Sequence, residues 1–240
     1  MDATQLIAAG TIAGIAGVVR GITGFGGAMV MTPPLALLFG PRFAIPVVLL
    51  LESLAAMPML LHVHHLIRWR TIGPLLAAAC ATVPLGGYIL VAADPVVLRR
   101  AIALTVIVFS LLLLRGWRLK SSHRLGASLG LGALSGGMIG ATGIGGPPVV
   151  LYLLSGPDRI ETTRANLTLY VFGTALATIL MLRIRGILDL PAMLAGLAFA
   201  PGYYGGVVLG ARLFPRFSDA RFRQFTLVLL MLVSTGILLA

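Results

Sequence analysis

The sequence predicts an all-α polytopic membrane protein that forms one transmembrane domain over residues 1–240, and three observations lead to this fold class. Hydrophobic residues make up 58% of the chain and charged residues 10%, with a mean hydropathy of +1.02, whereas soluble domains average about 25% charged residues. Apolar stretches recur along the whole chain, with no polar insert long enough for a soluble domain. A glycine-rich motif occurs twice within these stretches.

The predicted elements follow from the length of the apolar stretches. A helix that crosses the hydrocarbon core needs about 20 apolar residues. Two apolar pieces, residues 28–39 and 146–155, are too short for this and directly follow the glycine motifs, so we expect broken or re-entrant half-helices there. The eight predicted spans are residues 4–20, 43–61, 71–92, 96–114, 124–140, 165–182, 190–211 and 222–240.

The glycine motif reads GITGFGG at residues 21–27 and GATGIGG at residues 140–146. A shift of 119 residues aligns the two copies, and a register held beyond them indicates a duplicated unit. We expect homologous repeats over about residues 4–118 and about residues 124–240. The same shift pairs further glycines: Gly17 with Gly136, Gly86 with Gly205, and Gly87 with Gly206.

The distribution of basic residues favours an inverted orientation of the two repeats. If each short segment crosses the membrane and the N-terminus is outside, 13 of the 18 Lys and Arg residues lie on the cytoplasmic side, in line with the positive-inside rule. If the short segments instead re-enter without crossing and the N-terminus is inside, fewer than half of the Lys and Arg residues lie on the cytoplasmic side. The cytoplasmic set of the inverted arrangement is Arg20, Arg68, Arg70, Arg115, Arg118, Lys120, Arg124, Arg159, Arg164, Arg212, Arg216, Arg221 and Arg223.

Composition and local motifs also exclude several classes of function. The net charge of +11 is carried mostly at span ends, where it meets anionic headgroups, so nucleic acid is not an expected partner. No basic residue precedes the first apolar run, so we expect a first span instead of a cleaved signal peptide. The single Cys80 excludes an intrachain disulfide or a thiolate metal site, and no cofactor or metal is expected. His62, His64 and His65 stand at a span end, which favours an interfacial loop.

The two glycine motifs suit the binding of an anion. Glycines let the backbone leave the helix, and the freed N–H groups must face protein or a cavity within the bilayer. A helix that starts after such a break points its positive end at that cavity. The alternative is close helix packing, which we favour for the GxxxG pairs around Gly10, Gly17 and Gly136. The predicted substrate-binding residues of the motifs are Thr23, Gly24, Gly26, Gly27, Thr142, Gly143, Gly145, Gly146 and Pro147.

Three stretches resemble the sulfite exporter TauE/SafE family of bacterial membrane permeases: GITGFGGAMVMTPPLALLFG, GALSGGMIGATGIGGPPVVLYLLSG and RANLTLYVFG. The resemblance implies movement of sulfur-containing anions such as sulfite, sulfoacetate and other organosulfonates across the cell inner membrane. It also implies that Asn166 and Thr168, in a polar stretch after the second motif, belong to the substrate site. Ala28 and Met29 stand where a third glycine is common, so the individual substrate is not carried over.

Charged residues inside or beside the spans are the remaining candidates. Glu52 is the only acid well inside a span, so it is a candidate for proton coupling. The equally weighted alternative is a structural partner for Arg20 or Arg42. Arg20 and Arg164 adjoin the motifs and are candidate partners of the anion or of an ion pair.

The sequence therefore predicts a secondary transporter and no enzyme. An inside-negative potential favours exit of each negative charge by about 2.3 kcal/mol per 100 mV, so we expect an exporter of small sulfur-containing oxyanions that works by alternating access. The alternatives are a proton-coupled importer, a non-transporting scaffold and an integral membrane enzyme, the last disfavoured because HExxH, GxSxG and GxxxxGK[ST] motifs are absent. The expected partners are the anion and membrane lipids, and a homo-oligomer is left open.

Overall fold

The computed structural model describes residues 3–115, 125–156 and 158–213, together with residues 228, 231, 234 and 235. This part of the chain is helical and contains no β-strand. A 3-10 turn, His64–Leu66, follows the third helix. The helices are α1 Ala3–Thr23, α2 Gly27–Phe39, α3 Pro41–Val63, α4 Trp69–Ala92, α5 Pro95–Leu114, α6 Leu125–Thr142, α7 Gly146–Leu153, α8 Ile160–Ile184 and α9 Leu190–Leu213.

Seven of the described helices are long and apolar enough to cross a bilayer, namely α1, α3, α4, α5, α6, α8 and α9. They lie where seven of the eight spans were predicted. The eighth prediction, residues 222–240, lies outside the described residues apart from four single positions. The same holds for six of the basic residues in the topology argument: Arg118, Lys120, Arg124, Arg216, Arg221 and Arg223.

The helices break at the glycine motifs. α1 ends at Thr23 and α2 begins at Gly27, and in the second copy α6 ends at Thr142 and α7 begins at Gly146. Each break is therefore three residues long and occupies the same place in the motif. Positive φ angles turn the chain at Gly24 (+78°), Gly26 (+89°) and Gly143 (+71°), a backbone conformation that glycine adopts without steric cost.

Gly145 departs from this pattern. Its φ is −130°, a value open to any residue. The second motif therefore does not use left-handed backbone at this position. Gly145 is instead confined by its neighbours, because a Cβ there would lie 2.5 Å from the Ser135 carbonyl oxygen and 2.9 Å from Cβ of Ile139.

Helices α1 and α9 pack closely through glycine. Gly17 lies against the backbone of Tyr203, and Gly21 lies against the backbone of Val207. Because the second contact lies four residues further on in both helices, α1 and α9 run in the same direction. The packing interpretation is confirmed for Gly17 and Gly21, whereas a Cβ on Gly10 would have no atom within 4 Å.

Helices α4 and α6 form a second pair of the same kind. Gly136 lies against the backbone of Ala79, and Gly140 lies against the backbone of Val83. These helices also run in the same direction. Each copy of the motif thus begins on a helix, α1 or α6, that packs against the fourth helix of the other half of the chain, α9 or α4.

The contacts of α4 with α6 and of α9 with α1 are equivalent under a shift of 124 residues, whereas the sequence predicted a shift of 119. Ala79 and Tyr203 take equivalent places and differ by 124 residues, as do Val83 and Val207. The pairing of Gly86 and Gly87 with Gly205 and Gly206 is therefore wrong. The contacts instead match Gly86, which lies against Gly137, with Gly210, which lies against Val18. The shift grows by five because the second half has five more residues between Arg164 and Tyr203 than the first half has between Ile45 and Ala79.

Helices α4 and α8 also run in the same direction. Just before α4 begins, the N–H of Arg68 donates to Oδ1 of Asn166 near the start of α8, at 2.9 Å. Near the end of α4, Gly87 lies against the side chain of Met181 in the last turns of α8. α3 turns back into α4 through the short connection at His64–Leu66, so α3 runs opposite to both α4 and α8.

Candidate functional site

The two helix breaks meet at one internal cavity. Its volume, counted as the space open to the centres of water-sized spheres, is about 40 Å³. A single water needs about 10–15 Å³ on this measure, so the cavity has room for a few waters or one small anion. The lining residues are Arg20, Phe25, Gly26, Ala28, Met29, Leu49, Glu52, Ile139, Gly143, Ile144, Gly145, Gly146, Pro147, Val150, Leu167, Val171 and Ala175.

Two of these lining residues are charged, and they form an ion pair. Nη1 of Arg20 donates to Oε2 of Glu52, and both residues are buried, with exposures of 5% and 3%. The Tyr203 hydroxyl donates to Oε1 of Glu52 at 2.7 Å. Of the two arginines proposed as partners of Glu52, Arg42 instead donates to the carbonyl oxygen of Val91 at 2.5 Å.

The Glu52 carboxylate lies at the start of α2. A Cβ placed on Gly27, the first residue of that helix, would collide with Oε1 of Glu52 and with the Tyr203 hydroxyl. The absence of a side chain at Gly27 is what lets the carboxylate approach the positive end of α2. The anion position that the motif predicts is thus occupied by a side chain of the protein.

The second motif has a different surrounding. The Ser135 hydroxyl donates to the carbonyl oxygen of Gly145, and the Tyr170 hydroxyl donates to Oγ of Ser135 at 2.7 Å. At Gly146, the first residue of α7, a Cβ would have no atom within 4 Å. The positive end of α7 therefore borders open cavity instead of a carboxylate.

The two motif threonines stabilise the breaks. The Thr23 hydroxyl donates to the carbonyl oxygens of Val19 (2.9 Å) and Phe25 (2.5 Å). The Thr142 hydroxyl donates to the Met138 carbonyl at 2.8 Å and accepts from the N–H of Ile144 at 3.2 Å. Hydroxyls bonded in this way tie the last turn of a helix to the loop that follows.

Matched contacts join each motif to the third helix of the other half, α8 for the first motif and α3 for the second. A Cβ on Gly24 would lie 3.5 Å from Nε of Arg164, and one on Gly143 would lie 3.4 Å from Cγ1 of Ile45. The two glycines differ by 119 residues, and so do Ile45 and Arg164. Arg164 also has Nη2 at 3.5 Å from the Ile22 carbonyl oxygen.

Half of the predicted site residues line the cavity: Arg20, Gly26, Glu52, Gly143, Gly145, Gly146 and Pro147. The others lie outside its wall: Thr23, Gly24, Gly27, Thr142, Arg164, Asn166 and Thr168. The amide of Asn166 accepts from Arg68, and the Thr168 hydroxyl donates to the Arg164 carbonyl at 2.8 Å. It is Leu167, between them, that lines the cavity.

Sequence reasoning missed Tyr203. This residue is 1% exposed and bonds the cavity carboxylate from α9, 151 residues away in the chain. A tyrosine in the middle of a predicted span is a usable signal, because a buried phenol needs a polar partner. Nothing in the sequence distinguishes it from Tyr204, which is exposed.

The described residues contain no group of three or more His, Cys, Asp or Glu side chains placed to hold a metal ion. Nδ1 of His62 lies 2.8 Å from the Pro58 carbonyl oxygen, and Nδ1 of His64 lies 2.9 Å from that of Leu61. These imidazoles are thus bonded to the last turns of α3.

Comparison with known proteins identifies the family. The family model described as sulfite exporter TauE/SafE matches residues 8–237. No curated protein and no solved structure gave a match. Because the match covers nearly the whole chain, the chain belongs to the TauE/SafE family of membrane transporters, and it is a multi-pass membrane protein.

Proposed function

We propose that this TauE/SafE family member is a secondary carrier that exports small sulfur-containing oxyanions, of the sulfite, sulfonate or organosulfonate type, across the inner membrane. The observation that carries the proposal is the cavity between the two helix breaks, with Arg20 in its wall. Alternating access would open this cavity to one side of the membrane at a time.

The chemistry of the cavity suits a small anion. The Arg20 guanidinium can hold a planar or tetrahedral oxyanion through two parallel hydrogen bonds. The starts of α2 and α7 add two positive helix ends. The remaining wall is mostly apolar, from residues such as Met29, Leu49 and Val150, which leaves room for a short organic group on a sulfonate.

An inverted arrangement of the two repeats is part of this proposal, and the helix directions support it. α4 runs with α6 and with α8, so α6 and α8 run the same way. α9 follows α8 after a five-residue connection, residues 185–189, and therefore returns in the opposite direction. Because α1 runs with α9, α1 and α6 would enter the membrane from opposite sides.

Cysteine labelling tests the inverted arrangement. Single cysteines at Trp69 and Arg185, both exposed, would be introduced into a Cys80→Ser background. The proposal expects Trp69→Cys to react with an impermeant reagent from the cytoplasmic side and Arg185→Cys from the outside. Labelling of both positions from one side would reject it.

Flux measurements on reconstituted full-length protein test the proposed function. Proteoliposomes loaded with [³⁵S]sulfite or [¹⁴C]methanesulfonate should release the anion faster than protein-free vesicles when the inside is made negative, because each charge gains about 2.3 kcal/mol per 100 mV. Arg100→Gln, at an exposed span end, should match wild type. Release equal to that of protein-free vesicles for every sulfur oxyanion tried would reject the function.

A proton-coupled importer is a second candidate, because a buried carboxylate, Glu52, lies in the cavity wall. In that case Glu52→Gln should keep anion binding and remove the dependence of uptake on a pH gradient. Unchanged pH dependence in a well-folded Glu52→Gln protein would dismiss this candidate.

A further inference from the structure

We propose that Glu52 is an internal substitute for the substrate anion: its carboxylate holds Arg20 while the site is empty and releases Arg20 when an anion binds. This inference deepens the proposed function and rests on it. It gives the cavity ion pair a role in the transport cycle, and it makes Glu52 the residue that lets the empty carrier return.

The position of the carboxylate is the first support. Glu52 contacts the two groups that would hold an incoming oxyanion, since Oε2 pairs with the Arg20 guanidinium and Oε1 lies beside Gly27 at the start of α2. A carboxylate and a sulfonate present similar oxygens to a guanidinium. The side chain thus copies the contacts expected of substrate.

The second support comes from the other half of the molecule. Under the shift of 119 residues, Arg20 corresponds to Ile139 and Glu52 to Val171, and all four residues line the cavity. The second half therefore supplies an apolar wall, and the start of α7 beside it is open at Gly146. An anion in this open part of the cavity faces Arg20 with Glu52 as its competitor.

Charge balance gives the pair its purpose. A buried guanidinium without a partner is strongly unfavourable in a low-dielectric interior, so an empty carrier with a free Arg20 would not cross between its two states. Glu52 neutralises Arg20 for that step. When the anion takes its place at Arg20 and at the start of α2, Glu52 keeps the Tyr203 hydroxyl as a partner. Tyr203 is thus a positioning residue for the displaced carboxylate.

The cycle then carries the charge of the anion and needs no proton. Among the described residues, the charged or titratable side chains that contact Glu52 are Arg20 on α1 and Tyr203 on α9. Net movement of a monoanion should therefore respond to membrane potential and leave the internal pH unchanged.

Comparing exchange with net movement tests the proposal. Proteoliposomes would be loaded with [¹⁴C]methanesulfonate, which is a monoanion at every assay pH, and release would be measured into buffer with or without unlabelled methanesulfonate. In Glu52→Gln, release into anion-free buffer should fall by roughly tenfold or more relative to wild type, whereas release by exchange should persist with a half-saturating concentration roughly threefold or more lower. Glu161→Gln, an exposed acid at the start of α8, should leave both modes as in wild type.

Further variants keep the test decisive if Glu52→Gln does not insert. Glu52→Asp shortens the competitor by one methylene, so its half-saturating concentration should also fall. The double variant Arg20→Gln/Glu52→Gln restores neutrality but should lose both modes of release.

The outcomes separate this inference from the proposed function. If wild type moves methanesulfonate and either Glu52 variant shows the net release and half-saturation of wild type, the inference is overturned while the carrier function stands. Stoichiometric proton movement with the anion, read by an internal pH dye, also overturns it. If wild type moves methanesulfonate and sulfite in neither mode, the proposed function fails and the inference fails with it.

Discussion

The two glycine motifs break their helices at the same place and differ in chemistry. In both copies the helix ends at the threonine and restarts three residues later, at Gly27 or Gly146. Around the first copy, the restarting helix meets a charged network of Arg20, Glu52 and Tyr203. Around the second copy it meets open cavity, and the nearby polar bonds are those of an uncharged pair, Ser135 and Tyr170.

This difference separates the features that the two motifs have in common from those that they do not. The break itself depends on left-handed backbone at Gly24 and Gly143, a conformation that glycine adopts without steric cost, and both halves have it. Side chains that meet the cavity are free to diverge once the cavity exists. The charged side chains of the cavity wall therefore come from the first half, and the proposed function would place recognition of charge there.

Removing the charge from the first half should have the largest effect. Arg20→Ala leaves the Glu52 carboxylate buried without its partner, so the free energy of unfolding should fall by about 3–5 kcal/mol, with loss of anion flux. At the equivalent position of the second half, the smaller truncation Ile139→Val should cost about 0.5–1.5 kcal/mol and keep flux. Thermal unfolding and proteoliposome flux measure both. Equal losses from the two variants would mean that the halves are chemically equivalent.

Substitution of the equivalent glycines Gly26 and Gly145 should destabilise the protein for different reasons. Alanine at Gly26 has no atom closer than 4.0 Å but must adopt a φ of +89°, which costs about 1–2 kcal/mol. Alanine at Gly145 has a permitted φ but collides with Ser135, and such overpacking costs about 1–3 kcal/mol. Valine at either position should abolish flux.

Asparagine distinguishes the two causes, because it tolerates left-handed backbone. Gly26→Asn should therefore be at least as stable as Gly26→Ala, and Gly145→Asn should be less stable than Gly145→Ala. The opposite order at either position would contradict the backbone assignment. Unfolding temperatures in one detergent are the measurement.

The two buried tyrosines provide a smaller contrast. Tyr203→Phe removes a hydrogen bond to a charged group and should cost about 1.5–3 kcal/mol, whereas Tyr170→Phe removes a bond between neutral groups and should cost about 0.5–1.5 kcal/mol. Tyr203→Phe should also raise the half-saturating anion concentration, since the displaced carboxylate loses a partner. A larger loss of stability from Tyr170→Phe would reverse the comparison.

The motif threonines should behave alike, with the smallest effect. Thr23→Val and Thr142→Val each remove a hydroxyl bonded to nearby backbone, so each should cost about 0.5–1.5 kcal/mol. Because neither residue lines the cavity, anion half-saturation should change little in both variants. A strong rise in half-saturation for one variant alone would show that its hydroxyl reaches the anion.

Features that depend on neighbouring residues were predictable from the sequence. The apolar length of each segment located seven described spans, and runs such as Gly26-Gly27 located the breaks. Side-chain partners were not predictable, because an apolar span gives no signal of which face meets which helix. The pairing of Glu52 with Arg20 instead of Arg42, and the role of Tyr203, depend on contacts between distant segments.

The register between α4 and α9, the fourth helix of each half, was not predictable from the sequence either. Adjacent glycines are common in membrane spans, so the shift of 119 residues that aligns the motifs also aligned Gly205 and Gly206 with Gly86 and Gly87 by residue type alone. Only the contacts reveal that the equivalent of Gly86 is Gly210. The sequence carries no marker for the five extra residues, since both halves remain uniformly apolar there.

The crossed pairing of helices determines the order of assembly during synthesis. α6 finds its partner α4 already made, so that pair can close once residue 142 has been added. α1 is finished at residue 23, but its partner α9 ends at residue 213. At about 5–20 residues per second, the ribosome needs roughly 10–40 seconds to cover that distance. Among the described helices, the one made first is thus the last to gain its glycine-packed neighbour.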